Sequence, residues 1–297
     1  MVKAFFSSRY NIELPPGHPF PMHKYLALKN LLLEHSIIDA CLVADPGAAD
    51  RETILTVHTA EYYDKMEKGN LSNREQRSLG FPWSPKLFER SMAAVAGTIK
   101  ATREALNSGL GINLAGGTHH AFPDRGTGYC VFNDIAIACR ALTAQVAKIL
   151  IVDLDAHQGD GTNFILGREE NVYTFSAHVG ANFPREKFPG TVDIAFERYV
   201  KGEIYLKRVK ESLEFAIDSF QPELAIFIAG VDVHVDDRFG QMALSTEDVL
   251  ERDRFTIGLM HREQIPLAIV LGGGYNKVPE MTVALHLATV KTAMEIY

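Results

Sequence analysis

Six short runs of β-branched and aliphatic residues recur along the chain, at 3–7, 112–115, 149–155, 172–177, 224–232 and 266–271, and several are apolar almost without a break. A strand that alternates apolar and polar residues has one wet face, whereas a run such as Ile149-Leu150-Ile151-Val152 must be covered on both. The stretches between them, at 22–33, 84–106, 133–145, 204–220, 245–261 and 278–297, have helical length and amphipathic spacing. Two carry clear start signals. Ser84-Pro85 offers a capping hydroxyl followed by a proline whose missing N–H costs nothing, and Ser245-Thr246-Glu247-Asp248 has the same character. Strand and helix alternating throughout predict an α/β fold, a mostly parallel sheet flanked by helices on both faces. The 297 residues would allow two domains, but no proline- or serine-rich linker, repeat or low-complexity stretch divides them, so one domain over 1–297 is expected.

Charge narrows the function. Thirty basic residues against 37 acidic ones give a net charge of -7, which leaves no basic surplus for nucleic-acid phosphates or acidic membranes. Cys41, Cys130 and Cys139 are too few for a disulfide framework and show no CxxC spacing, which points to a reducing compartment, the cytoplasm by default. The short apolar stretch of Val2 and Ala4 to Phe6, broken by Ser7, Ser8 and Arg9, reads as a first strand rather than a signal peptide. No stretch approaches the roughly 18 apolar residues of a membrane span. A soluble protein is expected.

In an open parallel sheet, sites form beyond the carboxyl ends of the strands, and four consecutive strand ends are loaded. They carry Gly116-Gly117-Thr118-His119-His120, then Asp153-Leu154-Asp155-Ala156-His157-Gln158-Gly159-Asp160, then Gly230-Val231-Asp232, then Gly272-Gly273-Gly274-Tyr275. On extended backbone Asp153, Asp155 and His157 share a face, and such a group directly after an apolar strand is costly unless paired or metallated. Taken alone, they could equally be turn and cap residues. Asp232 by itself reads as a cap. Joined to Asp155 and His157 it completes two carboxylates and one imidazole, which leaves a coordination position open as catalytic zinc requires and also admits Fe(II). His234, two residues on and on the same face as Asp232, could be a further ligand but reads better as a surface histidine. The adjacent His119 and His120 should diverge and serve as two separate proton-handling positions, with Asp153 and Asp160 free to orient them through their second nitrogens. Gly272–Gly274 lets backbone run close to a ligand and aims Tyr275 inward; no GxGxxG or GK[ST] supports a nucleotide.

The segments GGTHHAFPDRGTGYCVFND (116–134), DLDAHQGDG (153–161), AGVDVHVDDRFG (229–240) and LGGGY (271–275) resemble the zinc-dependent histone deacetylase superfamily. FPWSPKLFERS (81–91) is most similar to its class IV branch and bacterial relatives. The resemblance runs from about His18 to the C-terminus. It implies the arginase/deacetylase-like fold, with zinc held by Asp155, His157 and Asp232. It further implies His120 as general base and then acid, His119 as its electrostatic neighbour, Asp160 behind His120, Asp153 behind His119, and Tyr275 as oxyanion donor. Tyr129 stands where the family usually has a phenylalanine lining the acyl-lysine tunnel. Asn182-Phe183-Pro184 fits the opposite wall better than Phe188-Pro189-Gly190, and Gly273 is expected against the substrate. The family often holds a potassium ion, here near Asp153, Asp155, His157 and Ser176. Lys24 replaces an arginine that many relatives place in an internal acetate-release channel.

The expected activity is zinc-dependent removal of an acetyl or longer acyl group from a lysine-like amine. Substrates would be acyl-lysine proteins or peptides, or an acetylated small amine. The alternative within the family is an acetylpolyamine deacetylase, for which Asp236 and Asp237 could supply an acidic rim. A dinuclear-manganese ureohydrolase of the arginase type would need an aspartate where Gly159 stands and another at His234. A silent acyl-lysine-binding scaffold would be expected to have lost a ligand, a histidine or the tyrosine, and none is missing.

Overall fold

The apolar runs become the interior of one sheet. The computed structural model describes residues 2–297. Its strands are β1 (Lys3–Phe5), β2 (Val43–Ala44), β3 (Leu110–Asn113), β4 (Ile149–Asp153), β5 (Val172–Val179), β6 (Val192–Phe196), β7 (Leu224–Ile228) and β8 (Leu267–Val270). They form an eight-stranded sheet in the order β2-β1-β3-β8-β7-β4-β5-β6, and every pairing is parallel. The helices are α1 (Lys24–Glu34), α2 (Arg51–Leu55), α3 (Ala60–Lys68), α4 (Asn73–Leu79), α5 (Pro85–Ser108), α6 (Asp134–Leu142), α7 (Asp160–Leu166), α8 (Gly202–Phe220), α9 (Thr246–Arg262) and α10 (Pro279–Ile296). Among the described residues no helix is long and apolar enough to cross a membrane.

β4 shows why its run is unbroken. Leu150 and Val152 enter a core with Leu28, Leu213 and Leu285, while Ile149 and Ile151 enter a second core with Ala101 and Ile135 on the other face. Each fully buried aliphatic side chain there contributes about 1.5–3 kcal/mol of transfer free energy, so a polar residue at either parity would be expelled. The start signals operate as expected. Ser84 accepts from the Leu87 N–H with Pro85 opening α5, and Ser245 with Asp248 closes a capping box on α9.

The strands end earlier than the apolar runs suggest. β4 stops at Asp153 and β7 at Ile228, so Asp155, His157 and Asp232 sit in the loops beyond and not on extended backbone. β3 lies two residues upstream of its expected place, because Gly111 interrupts the apolar pattern yet must be glycine: a Cβ there would meet the Ala101 carbonyl. The two edge strands β2 and β6 were not expected. β2 has two residues, and β6 buries only Ile194 and Phe196, leaving Asp193 and Ala195 exposed, so neither makes a long apolar run. Sheet order carries the functional consequence: β3, β8, β7 and β4 are neighbours, and theirs are the four loaded carboxyl ends.

Candidate active site

Two glycine segments cross at the site floor. Gly116 and Gly117 both have positive φ (+83° and +74°), and a Cβ on Gly117 would come within 2.9 Å of Gly272 Cα. Only glycine allows this turn and this approach together. Asp134, at the start of α6, holds the turn by accepting the N–H groups of Gly117 (3.0 Å) and Thr118 (2.7 Å). The turn delivers His119 and His120 into the space above β3.

Asp155, His157 and Asp232 converge there, fully buried, each offering one ligand atom within 4.8 Å of the others. His157 Nδ1 lies 3.0 Å from Asp155 Oδ1 and 2.9 Å from Asp232 Oδ2. Backbone holds the carboxylates from behind. Gly273 N–H donates to Asp155 Oδ2 at 2.7 Å, the Ala156 N–H donates to Asp232 Oδ1 at 2.9 Å, and a Cβ on Gly273 would strike the Asp155 carboxylate. Arg252 of α9, wholly buried, donates from Nη1 to the carbonyls of Leu154 (3.1 Å) and Gly230 (2.6 Å) and so ties the two ligand loops together. Burial drives Asp232 up to about 7, aided by the neighbouring Asp155 charge. Burial also opposes charge on Asp155, but His119 and His157 outweigh it and hold this carboxyl well below the ordinary range. His157 is raised despite burial, through its bonds to both carboxylates. Two buried carboxylates and one imidazole with converging donor atoms form a group that could hold a metal ion.

The paired histidines do not diverge as extended backbone would require. They sit in a turn, with ring centroids 4.1 Å apart, yet each has its own carboxylate. His119 donates from Nδ1 to Asp153 Oδ2 at 2.7 Å, and His120 from Nδ1 to Asp160 Oδ1 at 2.6 Å. Asp160 opens α7, so its backbone is fixed by a helix. The two imidazoles differ in charge. Burial disfavours the imidazolium of His119, but Asp153 and Asp155 raise it to about 9. Burial together with the adjacent His119 lowers His120 to about 4. His120 is therefore neutral near pH 7, and with Nδ1 committed to Asp160 its Nε2 carries a free lone pair.

These groups line a cavity of about 360 Å³ that also takes in Tyr129, Phe183, Gly273 and Tyr275. The Tyr275 backbone is positioned by Asp237, which accepts its N–H at 2.6 Å; burial, then the charge of Asp155, raises the phenol well above its ordinary pKa, so it stays a donor. Phe183 lies 4.9 Å from the His120 ring, edge to face. Phe188 instead packs on Phe122 and Phe164 and donates its backbone N–H to Gln158. Tyr129 packs among Phe20, Phe81 and Tyr275. Lys24 reaches the cavity from α1, buried, with Nζ donating to the Gly272 carbonyl at 3.2 Å amid the Phe20, Tyr25 and Tyr275 rings. Ser176 lies opposite Asp153 in the β4–β5 pairing, its hydroxyl 2.9 Å from His178 Nδ1.

Two expectations need correction. His234 is buried, not a surface residue: Nδ1 lies 2.9 Å from Asn276 Oδ1, and it stands outside the ligand cluster. Asp237 is no acidic rim either, since its carboxylate turns inward to the N–H groups of Phe239, Gly240 and Tyr275. Asp237, Asp134 and Arg252 are the supporting residues that sequence reading passed over. Asp134 and Asp237 fall inside the quoted motifs, but both act largely through backbone amides, which leave no mark on side-chain spacing.

A histone deacetylase domain matches residues 18–290. An uncharacterised protein of Picosynechococcus is 39% identical over 290 residues, which cover 97% of each chain. Histone deacetylase 2 of Arabidopsis thaliana is 27% identical over 95% of this chain and 77% of the relative. Among solved structures, an HDAC homologue crystallised with SAHA superimposes with a TM-score of 0.84 at 23% identity, over 100% of this chain and 84% of the other.

Proposed function

This chain belongs to the histone deacetylase family, and we propose that it is a zinc-dependent amidohydrolase that removes an acetyl or longer acyl group from a lysine-like amine. One observation carries the proposal: the buried Asp155–His157–Asp232 cluster, whose donor atoms converge, opens on the same cavity as His120, whose Nδ1 is held by Asp160 and whose Nε2 is left to the substrate. The mixed oxygen and nitrogen donor set suits zinc and also iron(II), and three protein ligands leave a position for water or substrate. Among the described residues this is the one such cluster, which argues against a dinuclear ureohydrolase.

Asp155, His157 and Asp232 would hold the divalent ion, which would supply Lewis acidity to the acyl carbonyl and bring the pKa of water towards about 7. The protein's own groups then divide the proton work. His120 Nε2 accepts the proton of the attacking water as the new C–O bond forms, with Asp160 holding the tautomer that leaves this nitrogen free. The Tyr275 phenol donates to the oxyanion that develops at the acyl carbon. As the C–N bond breaks, His120 returns its proton to the leaving amine, and the products are a free amine and a carboxylate. His119, its Nδ1 held by Asp153 at 2.7 Å, lies against His120 with ring centroids 4.1 Å apart and supports its position and basicity. Phe183 and Tyr129 would flank the acyl-bearing chain, and Gly273 would bring its backbone close to the acyl group while steadying Asp155. We extend the same reading to a structural potassium ion near Asp153, Asp155, His157 and Ser176, supported by the register that sets Ser176 beside Asp153.

Hydrolysis of an acetyl-lysine peptide by the wild-type protein and by His120→Ala tests the proposal. Turnover that is lost in the variant while the protein stays folded is expected. Equal turnover in the two would remove His120 from the reaction and with it the mechanism.

A further inference from the structure

The charge around the cavity is one-sided. The acids that line it are Asp155 and Asp232, both buried at the floor and committed to His157. The cations that line it are four: Lys24 and Arg90, buried, and Arg77 and Arg238, exposed. In a chain of net charge -7, two exposed guanidinium groups at this opening are unexpected from composition.

Both arginines sit at the mouth, Arg77 by the placement of its helix and Arg238 by hydrogen bonds of its own guanidinium. Arg77 lies in the last turn of α4, which is tied to the Tyr129 wall: Gly128 N–H donates to the Ser78 carbonyl and Tyr129 N–H to the Leu79 carbonyl at 2.9 Å. Arg238 is held by its own donors. Nε reaches the Tyr275 carbonyl and Nη2 the Pro19 carbonyl, each at 3.0 Å, which fixes the guanidinium plane and leaves further N–H groups free. Neither arginine is salt-bridged among the described residues. Asp237 is engaged by backbone amides, and exposed Asp236, two positions before Arg238, faces Lys277 at 3.9 Å and does not line the cavity.

We infer that the mouth formed by Arg77 and Arg238 selects an acidic substrate, a protein or peptide segment whose Asp or Glu side chains flank the acyl-lysine. This rests on the deacylase reading of the cavity. A guanidinium held in a fixed plane suits carboxylates, and the same field repels a polyamine, whose remaining ammonium groups would have to pass the mouth. The geometry therefore disfavours acetylpolyamines, which an acidic rim would have attracted.

The test uses peptides of equal length with one central acetyl-lysine, flanked by acidic, neutral or basic residues, and an acetylated polyamine. For each, kcat/KM is measured by hydrolysis and Kd by fluorescence anisotropy, at low and high salt, on the wild type and on Arg77→Glu. The acidic peptide should exceed the basic one by about tenfold at low salt in both quantities, with the gap narrowing at high salt. Arg77→Glu should bring the ratio near one. Equal values for the two peptides, a basic preference, a ratio that ignores Arg77→Glu, or selection for a carboxylate-ended acyl chain in place of acidic flanks would each overturn the inference. If no peptide, acetylated or long-acylated, and no acetylpolyamine is hydrolysed, the deacylase reading fails, while the Kd ratio still decides the mouth's selectivity.

Discussion

The floor and the mouth of the cavity are built by opposite means. At the floor, Asp155, His157, Asp232, His119 and His120 sit in the short segments beyond the carboxyl ends of β4, β7 and β3, buried, each carboxylate or imidazole held by at least one further hydrogen bond. At the mouth, Arg77, Phe183 and Arg238 ride on a short helix and two loops, and Phe183 is 42% exposed. The floor segments are short, buried and tied to one another by hydrogen bonds, which fixes the distances that proton transfer requires, whereas exposed loops at the mouth tolerate change without disturbing them. Chemistry is thus separated from selectivity within one cavity.

Substitutions at the two places should separate in the same way. At the floor, His120→Ala should lower kcat by about 10²–10⁴, the range of a general acid–base group, measured on a neutral acetyl-lysine peptide. Tyr275→Phe should cost about 10²–10³ in kcat with metal content retained, since it removes a single oxyanion donor; near-wild-type turnover would take Tyr275 out of the mechanism. Beneath the floor, His58 accepts the Asn133 N–H at Nε2 (2.9 Å), at the cap of α6 that carries Asp134. Burial lowers His58 to about 4 from an ordinary 6.5, so the unfolded chain takes up its proton first. The stability His58 provides is complete above pH 6.5 and is lost as pH falls towards 4. Chemical denaturation at pH 7 and pH 5 should show wild type losing about 2 kcal/mol more than His58→Gln. A parallel fall in the two proteins would contradict it. At the mouth, Phe183→Ala should raise KM about tenfold by removing an aromatic wall, with little effect on kcat. Phe188→Ala, in the Phe122–Phe164 cluster, should lower stability and leave KM unchanged.

The floor was legible in the sequence because it lies where an apolar run breaks into charge. Ile149-Leu150-Ile151-Val152 followed by Asp153, and Ile226-Phe227-Ile228 followed closely by Asp232, mark strand ends by composition alone. What sequence could not supply was adjacency. β7 and β8 insert between β4 and β3, although more than 70 residues separate Asp153 from Leu224, and nothing in either strand encodes its neighbour. The mouth was only partly legible for a related reason. Arg77 and Arg238 are 161 positions apart and belong to no local pattern. His234 misled because it follows Asp232 at a spacing that suggests a shared face, while the chain there turns and buries it against Asn276.

The central claim is that Asp155, His157 and Asp232 hold one divalent ion beside a proton-transferring His120. Elemental analysis of the purified protein, with Asp232→Ala alongside and acetyl-lysine peptide hydrolysis before and after chelation, tests it most directly. The account predicts one zinc or iron per wild-type chain, little in the variant, and turnover that is lost on chelation and restored by the metal. Two metals per wild-type chain, or undiminished hydrolysis by metal-free protein, would contradict it.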